Sequence, residues 1–417
     1  MEYSLLVVIG IMLVLLIMGS PVIFAIGAAA LSYFYIEPDM ISMLPIYAHK
    51  FYTGMDAFIW LSIPLFIIAG EIMTEIDMTQ RLLNFSRLLV GRLKGGLAYV
   101  NVVASMMFGG VSGSALADIA ALGPVEIDMM KKDGYKPEFA TAVTVSSAVQ
   151  GPIIPPSIPL IIFASLTNTS VAALFLAGAI PGILLGIGLM SVVFIKSRTD
   201  GFSANPIEGL NLAIVFHILM NAFWALIMPL IIIGGIISGA FTATEAAAVA
   251  VAYSLIIGIF VYRNLTFKAF WAILERAART TASIYLIIGF ATILSWIFAY
   301  EQVPAQLEFL VNDLGLSLWV TLLLLNLLFL INGLWISDVV QLLLFAPLFT
   351  PILAAMGVDP VHFGVILTMN VMIGLLTPPY GMALYLGAAV SGLPLGKIVS
   401  ATFPFLVASL IVLLLVT

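Results

Sequence analysis

The sequence predicts an all-α, polytopic membrane protein made of two inverted-topology repeats, each carrying a re-entrant hairpin and a broken helix. Three observations carry that prediction. The 417 residues are 63% hydrophobic and only 9% charged. Two proline-dense breaks, "QGPIIPPSIP" at 150–159 and "GLLTPPYGM" at 374–382, interrupt apolar stretches 223 residues apart. The short polar stretches at that same spacing carry opposite charge.

Composition sets the class. Soluble domains carry about 25% charged residues, and a soluble core cannot hide this much apolar surface. Mean hydropathy is +1.21. Lipid demands that backbone N–H and C=O groups be satisfied internally, which selects helices. The bilayer is therefore the main surrounding, and no nucleic-acid partner is expected. No cysteine is present, so disulfides, thiolate nucleophiles and Cys-ligated metals are excluded. The first apolar stretch has no basic start and is too long for a cleaved leader. It reads as two spans turning near Gly19–Pro21.

Sliding the chain by 223 aligns Gly110/Gly333, Ser114/Ser337, Pro124/Pro347, Gly134/Gly357, Pro137/Pro360, Gly151/Gly374, Pro155/Pro378, Pro156/Pro379 and Pro181/Pro404. Eight of these nine identities fall on Gly or Pro, although the window 110–181 holds only 13 such residues. Both residue types mark backbone geometry, so a shared chain path is the physical reading. The first repeat covers 1–195: scaffold spans within 1–76 (4–19, 21–36 and 57–75), an arm at 78–95, then hairpin and broken helix at 96–195. Residues 196–223 read as a linker. The second repeat covers 224–417: scaffold spans within 224–300 (224–238, 244–262 and 280–299), an arm at 303–317, then hairpin and broken helix at 318–417.

Lys and Arg concentrate in cytoplasmic loops. Arg81, Arg87, Arg92 and Lys94 place the first arm inside, whereas the second arm carries Glu308 and Asp313 and no basic residue. Lys131/Lys132, Lys196/Arg198, Arg263/Lys268/Arg276/Arg279 and Lys397 also fall inside, and Glu37/Asp39 and Glu301 outside. Both termini are then outside, provided that "GGVSGSALAD" and "NGLWISDVV" are hairpin tips that do not cross.

Mirrored broken helices are the plan of a secondary transporter. A break exposes carbonyls, which suit a hard cation such as Na⁺, and N–H groups, which suit an anion. Around the first break lie Ser112, Ser114, Ser146, Ser147 and Gln150; around the second lie Ser337, Asp338, Asn370 and Thr377. Such neutral oxygen donors suit Na⁺ better than a transition metal. Small residues also allow close helix packing, and the repeated breaks tip the reading towards a site. Asp338, at a tip, is open to an ionic or a structural role. Asp118 is placed to cap the returning helix. Thr242-x-x-Glu245 reads as a capping box; Glu71 has no assigned role. His49, His217 and His362 are scattered, and GxxxxGK[ST] is absent, so neither a metal or triad site nor ATP hydrolysis by this chain is expected.

The motifs "GGVSGSALADIAALG", "GPIIPPSIPLIIFAS", "GGIISGAFTATEAAAVAVAY" and "DPVHFGVILTMNVMIGLLTPP" resemble, in order and over essentially the whole chain, the large membrane subunit of tripartite ATP-independent periplasmic (TRAP) transporters. The "FTATEA" and "ISDVVQ" segments lack prolines common in that family. The resemblance implies a non-enzymatic symporter of the bacterial inner membrane, with an elevator-type fold, that carries small organic anions inward with Na⁺. It implies two partners: a periplasmic substrate-binding protein and a small four-helix membrane subunit. It implies at least two Na⁺ sites and no nucleotide. By motif match one site would use Gly333, Gly374, Thr377 and the backbone at Tyr380; by the 223-residue offset its mirror would use Gly110, Gly151, Ile154 and Ser157, with Ser112 and Ser114 beside it. Substrate, whether a dicarboxylate, sialic acid or another sugar acid, would lie near Ser114, Ser147, Ser337 and Asn370. A stand-alone Na⁺–carboxylate symporter is the rival reading.

Overall fold

The computed structural model describes residues 3–37, 40–202, 204, 211–334, 336–379 and 381–417. These residues form α-helices and short helical turns, with no β-strand. Eight of the helical segments are long and apolar enough to cross a membrane.

In the first half, α1 (Tyr3–Ile17) and α2 (Val22–Ile36) pack together. Then come α3 (Leu44–Met55), a tight turn at Phe58–Leu61, α4 (Ser62–Glu75) and the arm α5 (Met78–Val90). The hairpin is α6 (Gly96–Ser112), α7 (Ala115–Ala121) and α8 (Gly123–Lys132). The broken helix is α9 (Pro137–Ala148) and α10 (Ile158–Thr167), and α11 (Val171–Thr199) closes the half. The second half runs α12 (Leu212–Ile237), α13 (Ala243–Ile256), α14 (Phe267–Tyr300), the arm α15 (Val303–Asp313), the hairpin α16 (Leu318–Asn332) and α17 (Asp338–Ala355), the broken helix α18 (Pro360–Gly374) and α19 (Met382–Ser391), and α20 (Leu395–Val416).

Local chemistry explains the boundaries. Pro137 and Pro360 open α9 and α18 at the one helical position where a missing N–H costs nothing. Gly113 ends α6 at φ +61°, a left-handed conformation that glycine adopts without strain. Thr242 and Glu245 form the capping box that starts α13: Thr242 N–H donates to Glu245 Oε2 at 2.8 Å, and Glu245 N–H to Thr242 Oγ at 3.3 Å. The Asp118 expectation is corrected. Ser114 caps α7, accepting from Ala117 N–H, and Asp118 sits buried in the first turn. A cap side chain must precede the first helical residue, and Asp118 comes after it.

Two spans differ from the sequence reading. The span at 280–299 is the second part of one helix reaching back to Phe267. The linker read over 196–223 is narrower, because α11 continues to Thr199 and α12 begins at Leu212. Its residues 203 and 205–210, like Asp39 and Tyr380, lie outside the described residues. Charge at the end of α11 (Lys196, Arg198) and in the first part of α14 (Lys268, Glu275, Arg276, Arg279) lowers hydropathy before the helix stops, while the start of α12 is apolar and runs on through His217 and Asn221.

Two groups of helices can be followed, and they meet where α14 packs on α17 and α4 on α6. Helix α14 packs on α2, α3 and α4, and α13 packs on α4 and α12. In the other group contacts are exchanged reciprocally between the halves: α9 lies on α20 while α18 lies on α11, and α19 lies on α7 while α10 lies on α17. The span 137–167 that contains the first break is the most enclosed, with 83% of its most apolar stretch buried, against 28% for α12. Non-helical backbone at membrane depth needs this enclosure.

Candidate functional site

Each hairpin approaches its own broken helix through two glycines. A Cβ added to Gly109 would sit 2.2 Å from Gly151 Cα, and one added to Gly333 would sit 2.9 Å from Gly374 Cα. Any side chain at these points forces backbone apart. The sequence reading assigns Gly110 and Gly151 to one site and Gly333 and Gly374 to the other. Gly333 and Gly374 touch, whereas Gly151 touches Gly109, the residue before Gly110. The "GG" dipeptide at 109–110 is the signal for it, with the residue choice set by the local helix phase. Gly110 instead faces the Pro155 carbonyl: a Cβ added to it would lie 3.4 Å from that oxygen. Gly113 is closer still, 2.8 Å from the Pro156 oxygen by the same measure.

The first break is a tight turn at Gly151–Ile153 followed by extended backbone at Ile154. Ile154 N–H donates to Gly151 O at 3.1 Å. Ser157 Oγ accepts from Leu160 N–H, capping α10, and donates to the Pro152 carbonyl. Gln150 Nε2 ties the break to α6 through the Val102 carbonyl at 2.8 Å. In the second break, Thr377 N–H donates to Gly374 O at 3.0 Å and Thr377 Oγ to Ile373 O at 3.1 Å. Both breaks contain a cis Pro–Pro bond, Pro155–Pro156 and Pro378–Pro379.

A cavity of about 650 Å³ lies between the two tips, the first break and the scaffold. Ser112, Ser114 and Asp338 line it from the tips, Pro152 and Leu375 from the breaks, and Gly70, Glu71, Thr74, Arg276 and Thr280 from α4 and α14. Arg276 Nε donates to Glu71 Oε2 at 2.8 Å and Nη2 approaches Glu75 at 3.5 Å. This gives Glu71 a partner and places the cation on the cavity wall. Gly70 approaches Ser112 closely: a Cβ there would lie 3.2 Å from Ser112 Cα.

The expected substrate residues divide. Ser114 lines the cavity, and Ser337 precedes the adjoining α17 with its hydroxyl lacking a hydrogen-bond partner. Ser147 and Asn370 do not line the cavity. Both are fully buried between helices, where Ser147 Oγ donates to Asn101 Oδ1 at 2.7 Å and Asn370 Nδ2 to Asn326 Oδ1 at 2.7 Å. Their helical phase turns them towards α6 and α16, a direction that spacing from the break does not reveal. Arg276, Thr280 and Gly70 do not stand out in the sequence, because distant scaffold segments bring them to the site.

A model of the family described as "Tripartite ATP-independent periplasmic transporter, DctM component" matches residues 9–417. The chain is 42% identical over 402 residues to the sialic acid TRAP transporter large permease protein SiaM of Vibrio cholerae, covering 96% of this chain and 93% of that one. It is 38% identical over 390 residues to the C4-dicarboxylate TRAP transporter large permease protein DctM of Pseudomonas aeruginosa, covering 94% and 90%. Its fold is similar to that of the Alcanivorax borkumensis YdaH transporter, with TM-score 0.61 and 16% identity, over 99% of this chain and 97% of that chain.

Proposed function

Since the chain belongs to the DctM family of tripartite ATP-independent periplasmic transporters, we propose that it carries a small organic anion into the cell by Na⁺ symport, in an elevator motion. A periplasmic binding protein delivers the anion, and a small four-helix membrane subunit braces the scaffold. The setting is the bacterial inner membrane, with Arg276 and the basic arm on the cytoplasmic side. The observation that supports this reading best is the position of the cavity. It lies between the hairpin body on one side and α4 and α14 on the other, so sliding one body past the other moves its contents.

The residues at the breaks fit Na⁺. Gly110 and Gly113 pass close to the Pro155 and Pro156 carbonyls, and the second break offers the Thr377 oxygen and local carbonyls. Oxygen donors without formal charge suit a coupling ion that must leave again. Ser112 and Ser114 adjoin the first of these sites and offer hydroxyls to the anion. Sialic acid and C4-dicarboxylates are the first substrates to test, because the relatives' names specify them.

The test is uptake of labelled sialic acid and C4-dicarboxylates into proteoliposomes holding this chain and its small subunit. An imposed Na⁺ gradient with the cognate binding protein is expected to drive accumulation. Equal uptake with K⁺ alone overturns the Na⁺ coupling. Equal uptake without the binding protein favours the stand-alone symporter.

A further inference from the structure

Two carboxyl groups lie inside the hairpin body with nothing to neutralise them. Asp118 on α7 is 1% exposed and Glu126 on α8 is fully buried. Neither takes part in an ion pair among the described residues. Asp118 Oδ2 and both Glu126 carboxylate oxygens accept no hydrogen bond. The Ser105 hydroxyl is the side-chain donor available to Asp118 and the Thr144 hydroxyl the one available to Glu126, and α7 packs directly on α8. The surrounding donors are already engaged. Asn101 Nδ2 donates to Thr144 Oγ at 2.6 Å, Thr144 to the Ala140 carbonyl at 3.1 Å, Ser147 to Asn101 Oδ1, and Ser105 to Ser147 at 3.0 Å.

The other titratable groups on the packed elements have partners elsewhere or reach solvent. On α8, Lys132 pairs with Asp128 at 2.7 Å and Lys131 Nζ reaches the Ser391 carbonyl at 3.4 Å. On α9, Glu138 pairs with Lys397 at 3.3 Å. Tyr99 of α6 faces Arg198, and Tyr385 of α19 is exposed. An ionised carboxylate without donor or counter-charge costs several kcal/mol in such surroundings. A proton removes the charge and supplies the missing donor.

The second half shows that the fold itself does not require these acids. At the 223-residue offset Asp118 falls on Gln341 and Glu126 on Phe349, both buried. Thr144 falls on Leu367, which is buried, whereas Asn101 and Ser105 fall on Leu324 and Leu328, which are exposed. At these two positions the second half is therefore built without a carboxyl, although its α17 begins with Asp338.

We propose that Asp118 and Glu126 together form a proton-binding site that holds one exchangeable proton between them at neutral pH, and that transport requires this proton. The requirement is independent of which ion drives uptake. Its sign follows from the chemistry: the competent form is protonated, so activity is present at low pH and is lost as pH rises through the pair's apparent titration. Beyond that midpoint a one-proton requirement lowers the rate about tenfold per pH unit. The titration belongs to the pair rather than to either residue.

The test joins infrared spectroscopy with uptake, using the full chain in lipid. At neutral pH the unmutated protein is expected to show a protonated-carboxyl band that shifts on ¹³C-labelling of Asp and Glu. The band should be lost in Glu126→Gln and in Asp118→Asn, where an amide supplies the donor instead. Uptake by wild type should fall on the alkaline side, and that fall should be absent in Glu126→Gln. No isotope-sensitive band at neutral pH overturns the proposal, and this reading needs neither variant to fold. So do pH profiles of wild type and Glu126→Gln that superimpose. A band abolished by adding Na⁺ assigns the carboxyls to that metal and likewise overturns it.

Discussion

The two halves of this chain run through a similar order of helices with different interiors. In the first, α3 and α4 are separated by a turn at Phe58–Leu61, whereas their counterpart is the continuous helix α14. The returning hairpin arm is divided into α7 and α8 in the first half, and is the single helix α17 in the second, despite Pro347 and Pro351 inside it. The first hairpin and its broken helix bury Asn101, Ser105, Asp118, Glu126 and Thr144; the second bury Asn326, Gln341 and Asn370 and bring Phe329 against Phe345, Phe349 and Phe363. The features that the two copies share are the glycines and prolines that set where the chain bends. What fills the space between helices has diverged. A repeated backbone thus tolerates different chemistry in each copy, and the places where the copies disagree point to jobs that only one copy performs.

The largest effect tests whether the halves are inverted at all. A single cysteine at Asn84, exposed on α5, should react only with a membrane-permeant maleimide in intact spheroplasts. One at Phe309, 72% exposed on α15, should also react with an impermeant reagent. The chain has no native thiol to interfere. Labelling of both from the same side would break the comparison at its root.

The next compares the two glycine contacts. Gly109→Ala should abolish uptake and lower the thermal midpoint, because its Cβ would overlap Gly151 Cα at 2.2 Å. Gly333→Ala, at 2.9 Å from Gly374 Cα, should cost less. Overpacking typically costs about 1–3 kcal/mol, and Gly109 belongs at or above the top of that range. Thermal unfolding in detergent and proteoliposome uptake measure both. Equal losses would mean that the two contacts are equally tight.

The smallest effect concerns the caps. Ser114→Ala removes the hydroxyl that accepts from Ala117 N–H, and should destabilise by about 1 kcal/mol. Ser337→Ala should be close to neutral in stability, since the Ser337 hydroxyl has no hydrogen-bond partner. Thermal midpoints that fall equally would show that Ser337 also caps its helix in the membrane.

Sequence alone determined the membrane class, the helical content and the two breaks. Composition leaves a chain with 9% charged residues no soluble option, and Gly and Pro act through their own backbone, so their effect is written locally. Tertiary structure decided the rest. It set Gly109, rather than its neighbour Gly110, against Gly151, because the phase of α6 against the break depends on how two helices pack. It turned Ser147 and Asn370 away from the cavity into helix–helix hydrogen bonds, and it joined Arg276 to Glu71 across 205 residues of chain. It also enclosed Glu126, which sits in the sequence between Pro124 and Lys131 like an ordinary surface residue. Side-chain direction and burial depend on neighbours distant in sequence, and only the packed helices supply those.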